Sequence, residues 1–206
     1  MIRLHVADLI CSQGDTTYCA LDYIPAMQRR RLSPLAKLSI NSAIEALNGH
    51  KADFIVWVSQ YGDEHKTLKI LEDVLSDQTP SPTQFSTSVH NAISGLYSIL
   101  CQDSTPATSL AGTWADGLIE AYIWLKTTAS ARNVLVVYYD EALPEIYMEH
   151  QSFTSLSMAA LISLESPNLV LKSNILTDNP AYEQALAFNN FWKNKEQTEF
   201  DMWEKC

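Results

Sequence analysis

The chain is short of positive charge, and that shortage excludes the most. Its 206 residues carry 14 Lys and Arg against 24 Asp and Glu, a net charge of −10. An acidic chain repels phosphate backbones and anionic membrane surfaces, so nucleic acid is not an expected partner. Cysteine is scarce too. Cys11, Cys19, Cys101 and Cys206 form no CxxC pair, and their spacing gives neither a zinc signature nor a dense disulfide framework. No metal and no cofactor is expected. No apolar run approaches the roughly 20 residues of a membrane span. Arg3, His5 and Asp8 interrupt any apolar core at the start, so it does not read as a signal peptide. Without a Gly-rich dinucleotide loop, Ser94-x-x-Tyr97 has no support as a reductase pair. The expectation is a reduced, cytoplasmic protein.

What is present suits one domain with a proper core, at 47% apolar and 18% charged residues. Ile2–Cys11 alternates, with Ile2, Leu4, Val6 and Ile10 expected on one face of a first strand. Gly14–Pro25 reads as a loop. Arg29-Arg30-Arg31 is the only basic run, either a dock for an acidic partner or a solvated helix start. Ser33-Pro34 caps a helix that Asn48-Gly49 ends. Phe54–Ser59 and Val134–Tyr139 are short continuous apolar runs, the pattern of strands covered on both faces. Between them Asp63 can cap a helix to Leu75, with Leu68, Leu71 and Leu75 on one side.

The stretch that organises the chain is Ser81–Gly117. Phe85, Val89, Ala92, Leu96 and Leu100 recur in steps of three and four, which predicts one helix over Phe85–Leu100. Pro106 opens a short strand, Ala107–Ala111, and Gly112 turns it into a helix that begins near Trp114. Such a turn is a good mount for a nucleophile, because it exposes a side chain beside free helix N–H groups. Here the turn contains no Cys and no Ser. Asp116 at this helix start complements the dipole.

Further on, Asp140–Glu149 is a loop, Ser155–Leu164 a strand and Asn168–Asn174 an extended piece. Asn179-Pro180 opens a helix through Trp192. Residues 1–192 are expected to form the domain and Lys193–Cys206 a polar tail. The tail's Phe200, Met202 and Trp203 pack on that domain or clip onto a partner. Strands alternating with helices argue an α/β domain with a mainly parallel sheet.

The string Pro82-Thr83, Phe85-Ser86, Ser88-Val89-His90-Asn91-Ala92, Gly95 and Ser98-Ile99 resembles the amino-terminal half of the β-ketoacyl synthases, in the thiolase-fold superfamily. It is most similar to the short synthase-like proteins of aryl-polyene pathways. The match keeps order and spacing over about eighteen residues, with weaker likeness over roughly Ala52–Pro144. The resemblance implies a thiolase-like single half, its five-stranded sheet ordered 3-2-1-4-5 with the fifth strand antiparallel.

In the relatives a nucleophilic Cys sits three residues before the Gly that opens the helix. Here Gly117 places that position at Trp114, and a shift of one residue gives Thr113 or Ala115, none of them Cys. The histidines that polarise the extender come from a carboxy-terminal half in which this chain has no counterpart. The implied role is a non-catalytic, chain-length-factor-like subunit. Its partner would be a full-length β-ketoacyl carrier-protein synthase, which would also be the main dock for the acyl carrier protein. Phe85, Val89, His90, Asn91 and Ser94 would line the partner's acyl tunnel, and Leu110 would lie on an edge strand at the joint. A single half would leave an apolar helix layer uncovered. Two other readings stay open: a free-standing small acyltransferase or hydrolase with an unrecognised nucleophile, and a pure scaffold.

Overall fold

The computed structural model describes residues 1–14, 16–172 and 179–206. Strands β1 (Ile2–Gln13), β2 (Phe54–Ser59), β3 (Ala107–Ala111), β4 (Val134–Asp140), β5 (Leu156–Ser163), β6 (Leu169–Leu171), β7 (Glu199–Phe200) and β8 (Trp203–Lys205) form one sheet. The helices are α1 (Ala26–Arg29), α2 (Pro34–Leu47), α3 (Glu64–Leu75), α4 (Pro82–Ser88), α5 (Ala92–Cys101), α6 (Trp114–Thr127) and α7 (Ala181–Lys193). A single 3-10 turn, Cys19–Leu21, interrupts the loop expected over Gly14–Pro25.

The α/β class holds, but the sheet is larger and more mixed than expected. Its order is β3-β2-β4-β5-β1-β6-β8-β7. Among the described residues only β2–β3 and β2–β4 pair parallel; β5 is antiparallel to both β4 and β1, and the pairs beyond β1 are antiparallel as well. The expected 3-2-1-4-5 order is therefore corrected. A parallel neighbour needs a long crossover, usually a helix. No helix separates β4 from β5, so β5 returns antiparallel. The first strand then lies outside β5 rather than at the centre.

β1 also runs two residues further than Cys11, and its faces switch. Ala7 pairs with Leu161 and Ile10 with Ala159, so three steps on β1 answer two on β5. This is a β-bulge, with Asp8 at φ 43°. Leu4 and Val6 join the core on the α6 and α7 face. Ile10, expected beside them, packs with the core on the α2 and α5 face.

The sheet is thus the middle of three layers. α2 lies fully against β1, β4 and β5, with Leu35, Ala36, Leu38, Ile40 and Ala43 all inaccessible. Its start is fixed as expected, Ser33 Oγ accepting from Ala36 N at 3.1 Å with Pro34 at the first position. It stops at Asn48, which adopts the left-handed conformation.

On the opposite face the first turn of α6 is covered by the chain itself, whereas Ile123 further along the helix stays 49% exposed. Trp114 and Phe188 pack at 5.7 Å, and Phe188 meets Trp203 edge-on at 4.7 Å. β8 pairs with β6, so Met202 and Trp203 are buried in the core of their own chain. Lys205 Nζ donates to the Phe191 and Asn194 carbonyls at the end of α7. Of the extended piece expected over Asn168–Asn174, Leu169–Leu171 is β6, while residues 173 and 174 lie outside the described residues.

Exposed apolar surface also lies on α3 and α4. Neither α3 nor α4 buries a residue. Leu71 is 48% exposed, Leu75 86% and Phe85 64%. Asp63 does not cap α3 with its side chain; it is buried and paired with Lys66 at 3.1 Å.

Candidate functional site

The turn that would carry a nucleophile is closed by a capping box. Thr113 is the N-cap of α6, and its Oγ accepts from Asp116 N at 3.3 Å. In return, Asp116 Oδ2 accepts from Thr113 N and Thr113 Oγ, each at 2.8 Å. The hydroxyl that might have stood in for a thiol is therefore committed to the cap. Asp116 does more than complement the dipole: it fixes the turn.

Trp114 is the first residue of α6 and is 1% exposed. Its indole packs between α6 and α7 instead of opening to solvent. Cys101 is at the end of α5, half-buried, and accepts from Tyr23 OH at 3.1 Å. Burial pushes its thiol pKa up, the opposite of what a reactive cysteine needs. All four cysteines are free thiols.

Beside the turn lies a cleft of about 480 Å³ over the C-terminal ends of β2 and β4. Gln60, Thr113, Asp140, Phe153 and Tyr182 are among its walls, the last two stacked at 3.9 Å. Asp140 is 3% exposed and highly bonded. Its oxygens accept from Ser59 Oγ at 2.9 Å, Gln60 N at 3.0 Å and the Tyr138 hydroxyl. Burial pushes Asp140 up to about 6 despite these donors. Its neighbour Glu141 is pushed up to about 7, first by burial and then by the charge of Asp63. Among the described residues no group of three or more His, Cys, Asp and Glu could hold a metal ion.

The predicted helix over Phe85–Leu100 is two helices, and the break falls inside the motif. α4 starts with a full capping box between Ser81 and Gln84. It ends where hydroxyls compete for its carbonyls: Ser86 Oγ and Thr87 Oγ donate to Thr83 O, and Ser88 Oγ to Phe85 O. Val89 then becomes extended, at φ −69° and ψ 150°. Ala92 N donates to Val89 O, and α5 begins.

The joint brings Val89, His90, Asn91 and Ser94 together at the surface. Val89 is 40% exposed, Asn91 is exposed and Ser94 half-buried. The His90 ring turns inward, Nε2 lying 3.1 Å from the Ser59 carbonyl. Phe85 projects into solvent a turn earlier.

β3 is an edge of the sheet, as its position in the motif implied. Ile55 N donates to Pro106 O and Gly112 N to Ser59 O, so even-numbered residues of β3 address β2. Leu110 therefore turns its backbone groups inward, and its half-buried side chain meets the core. The backbone groups of Ala107, Ser109 and Ala111 point to the open side.

Sequence reasoning missed the Ser59–Asp140–Tyr138 cluster and its link to His90. A signal existed: each buried apolar run, FIVWVS and VLVVYYD, closes on a polar residue at its C-terminal end. Ser59 and Asp140 stand at the C-terminal ends of the parallel strands β2 and β4, beside the cleft. The triple arginine, by contrast, is surface. Arg29 pairs with Asp22, and Arg30 and Arg31 are exposed.

The family model described as "Beta-ketoacyl synthase, N-terminal domain" matches residues 7–204. Among solved structures, a ketosynthase (ApeO) in complex with its chain length factor (ApeC) from Xenorhabdus doucetiae aligns with a TM-score of 0.78 and 23% identity. That alignment covers 100% of this chain and 98% of the matched one. The ishigamide ketosynthase/chain length factor aligns at TM-score 0.56 and 13% identity, covering 82% of this chain and 56% of its own. A β-ketoacyl synthase from Burkholderia phymatum STM815 aligns at 0.57 and 8% identity, covering 92% and 69%. No curated protein sequence matches the chain significantly. Among the described residues no helix is long and apolar enough to cross a membrane.

Proposed function

The chain belongs to the family of the β-ketoacyl synthase N-terminal domain, and on that premise we propose that it is a non-catalytic, chain-length-factor-like subunit. It pairs with an active β-ketoacyl carrier-protein synthase in the building of fatty-acid-like or aryl-polyene chains. The observation that carries this reading is Trp114. A condensing synthase holds its acyl chain as a thioester on a cysteine at this turn. Here the position is a buried indole, and the adjacent hydroxyl of Thr113 is locked in the cap.

Two features support pairing. β3 offers one row of backbone groups to an added strand, which a lone protein would need to protect. Leu71, Leu75 and Phe85 leave apolar surface on α3 and α4. In the complex, the joint from Phe85 through Val89, His90, Asn91 and Ser94 faces the partner's acyl tunnel. Carrier protein, itself acidic, docks mainly on the synthase. The chain works in the cytoplasm.

The test is direct. Purified chain is incubated with an acyl-carrier thioester and read by intact mass, alone and beside a full-length synthase of the same pathway. An acyl adduct should form on the synthase only, and the two chains should co-purify. A stable adduct on this chain, or an active monodisperse monomer, would sink the reading.

A further inference from the structure

The joint between α4 and α5 carries the residues assigned to the tunnel, yet α4 has no fully buried residue and is tied to α3 at its end by Lys66 Nζ to Thr87 O at 3.5 Å and Thr67 Oγ1 to Ser88 O at 3.3 Å. The joint is also held from beneath. His90 Nε2 lies 3.1 Å from the Ser59 carbonyl oxygen. A carbonyl only accepts, so Nε2 carries the proton and donates. Gly62, at φ +77°, runs alongside the ring, where a Cβ would make ordinary contact at 3.5 Å from His90 Cδ2. Tyr139 OH donates to the His90 carbonyl at 3.3 Å.

Both supports belong to the core: Ser59 and Tyr139 are inaccessible. Ser59 is itself fixed, its Oγ donating to Asp140 at 2.9 Å and accepting from Gly62 N at 2.8 Å. A rigid platform at the ends of β2 and β4 thus grips one side chain between the end of α4, which buries no residue, and the buried Ala92 and Ile93 of α5.

We propose that His90 is a positioning residue: its inward hydrogen bond fixes the angle between α4 and α5, and with it the place of Val89 and Ser94 in the tunnel wall. This rests on the chain-length reading above. The ring points into the chain while the His90 backbone stays part of the joint.

Three variants test it. His90→Phe keeps a ring but loses the donor and leaves the Ser59 carbonyl unpaired. His90→Gln keeps an N–H at the reach of Nε2. Tyr139→Phe removes the second grip. Hydrogen exchange on the chain alone should speed up about tenfold at the amides of residues 89–94 in His90→Phe, less in Tyr139→Phe, and stay near wild type in His90→Gln. In complex with the synthase, His90→Phe should broaden the product lengths and His90→Gln should restore them. A residue serving stability alone would lower the melting temperature without touching product length. Unchanged exchange in His90→Phe overturns the proposal. So does unchanged product length in a complex whose length does respond at Ser94. If the wild-type chains form no complex, the chain-length reading fails, and the exchange comparison alone decides the positioning role.

Discussion

Gly117 lies against Val58 so closely that a Cβ on the glycine would stand 2.7 Å from a valine methyl, with Val136 at 2.9 Å on the other side. The first turn of α6 therefore rests on the sheet at backbone distance. In an open helix, Gly→Ala stabilises by about 1 kcal/mol. Here the added methyl must push α6 off β2 and β4, and overpacking costs about 1–3 kcal/mol. Gly117→Ala should lower stability by about 1–2 kcal/mol in urea unfolding, with the sign itself diagnostic. A stabilised variant would show that α6 can lift from the sheet freely.

The open side of β3 provides the second prediction. Proline at Ser109 removes an outward N–H and spares the ladder to β2, whereas proline at Leu110 would break that inner ladder. Ser109→Pro should leave the chain folded by circular dichroism and abolish co-purification with the synthase. Retained co-purification would place the joint elsewhere.

Ser94 is small and half-buried on the first turn of α5. Ser94→Phe should fill the end of the tunnel and shorten the products of the complex, leaving assembly intact. One methylene needs about 1.3 Å of room, and forcing a blocked fit costs about 1–3 kcal/mol. Mass spectrometry of the products from one starter and extender gives the readout. Unchanged lengths for substitutions at Val89 and Ser94 alike would leave the chain a scaffold.

The arginine run allows a negative prediction. An acidic carrier meets long-range repulsion from a chain at −10. Changing Arg29, Arg30 and Arg31 to Glu should alter carrier turnover by the complex less than about twofold. A tenfold loss would make that run the carrier's dock.

The fifth prediction concerns pH. Folding raises Glu141 from 4.5 to about 7, so the folded chain binds its proton more tightly than the unfolded chain does. Stability from this group is then complete below about pH 4.5 and is lost as pH rises through 7. Asp140 acts in the same direction between 3.8 and about 6. Glu141→Gln removes one ionisation beside Asp63 and Asp140. Its effect on stability should be on the order of 2–3 kcal/mol more favourable at pH 8 than at pH 4.5. Parallel urea midpoints of wild type and variant across that range would refute this.

How much of this could be read beforehand follows the reach of the interactions. β2, β3 and β4, α2 and its Ser33-Pro34 start, and the turn at Gly112 stand where the local pattern put them. Each depends on short-range chemistry: apolar runs, caps and glycine. The bulge at Asp8 was not legible, because the partner strand that defines it is far away in sequence: Ala7 pairs with Leu161, 154 positions later. The strand order failed for the same reason. The break at Val89 escaped the periodicity because apolar residues keep helical spacing across it, while the hydroxyls that end α4 have no periodic signature. At the site, the missing nucleophile was visible as Trp114, but its burial against Phe188 and the grip of Ser59 on His90 required the fold.

The position of β1 governs how this molecule can be made. Its neighbours are β5 on one side and β6 on the other, so Val6 bonds to Asn168, 162 positions later. On the ribosome the first strand emerges long before anything exists for it to pair with. The parallel unit β2–β3–β4 can assemble from consecutive sequence, with its edge already formed. A nascent chain therefore displays β3 while β1 is still loose. A partner present at that moment would meet the edge proposed as the joint before the rest of the sheet has closed.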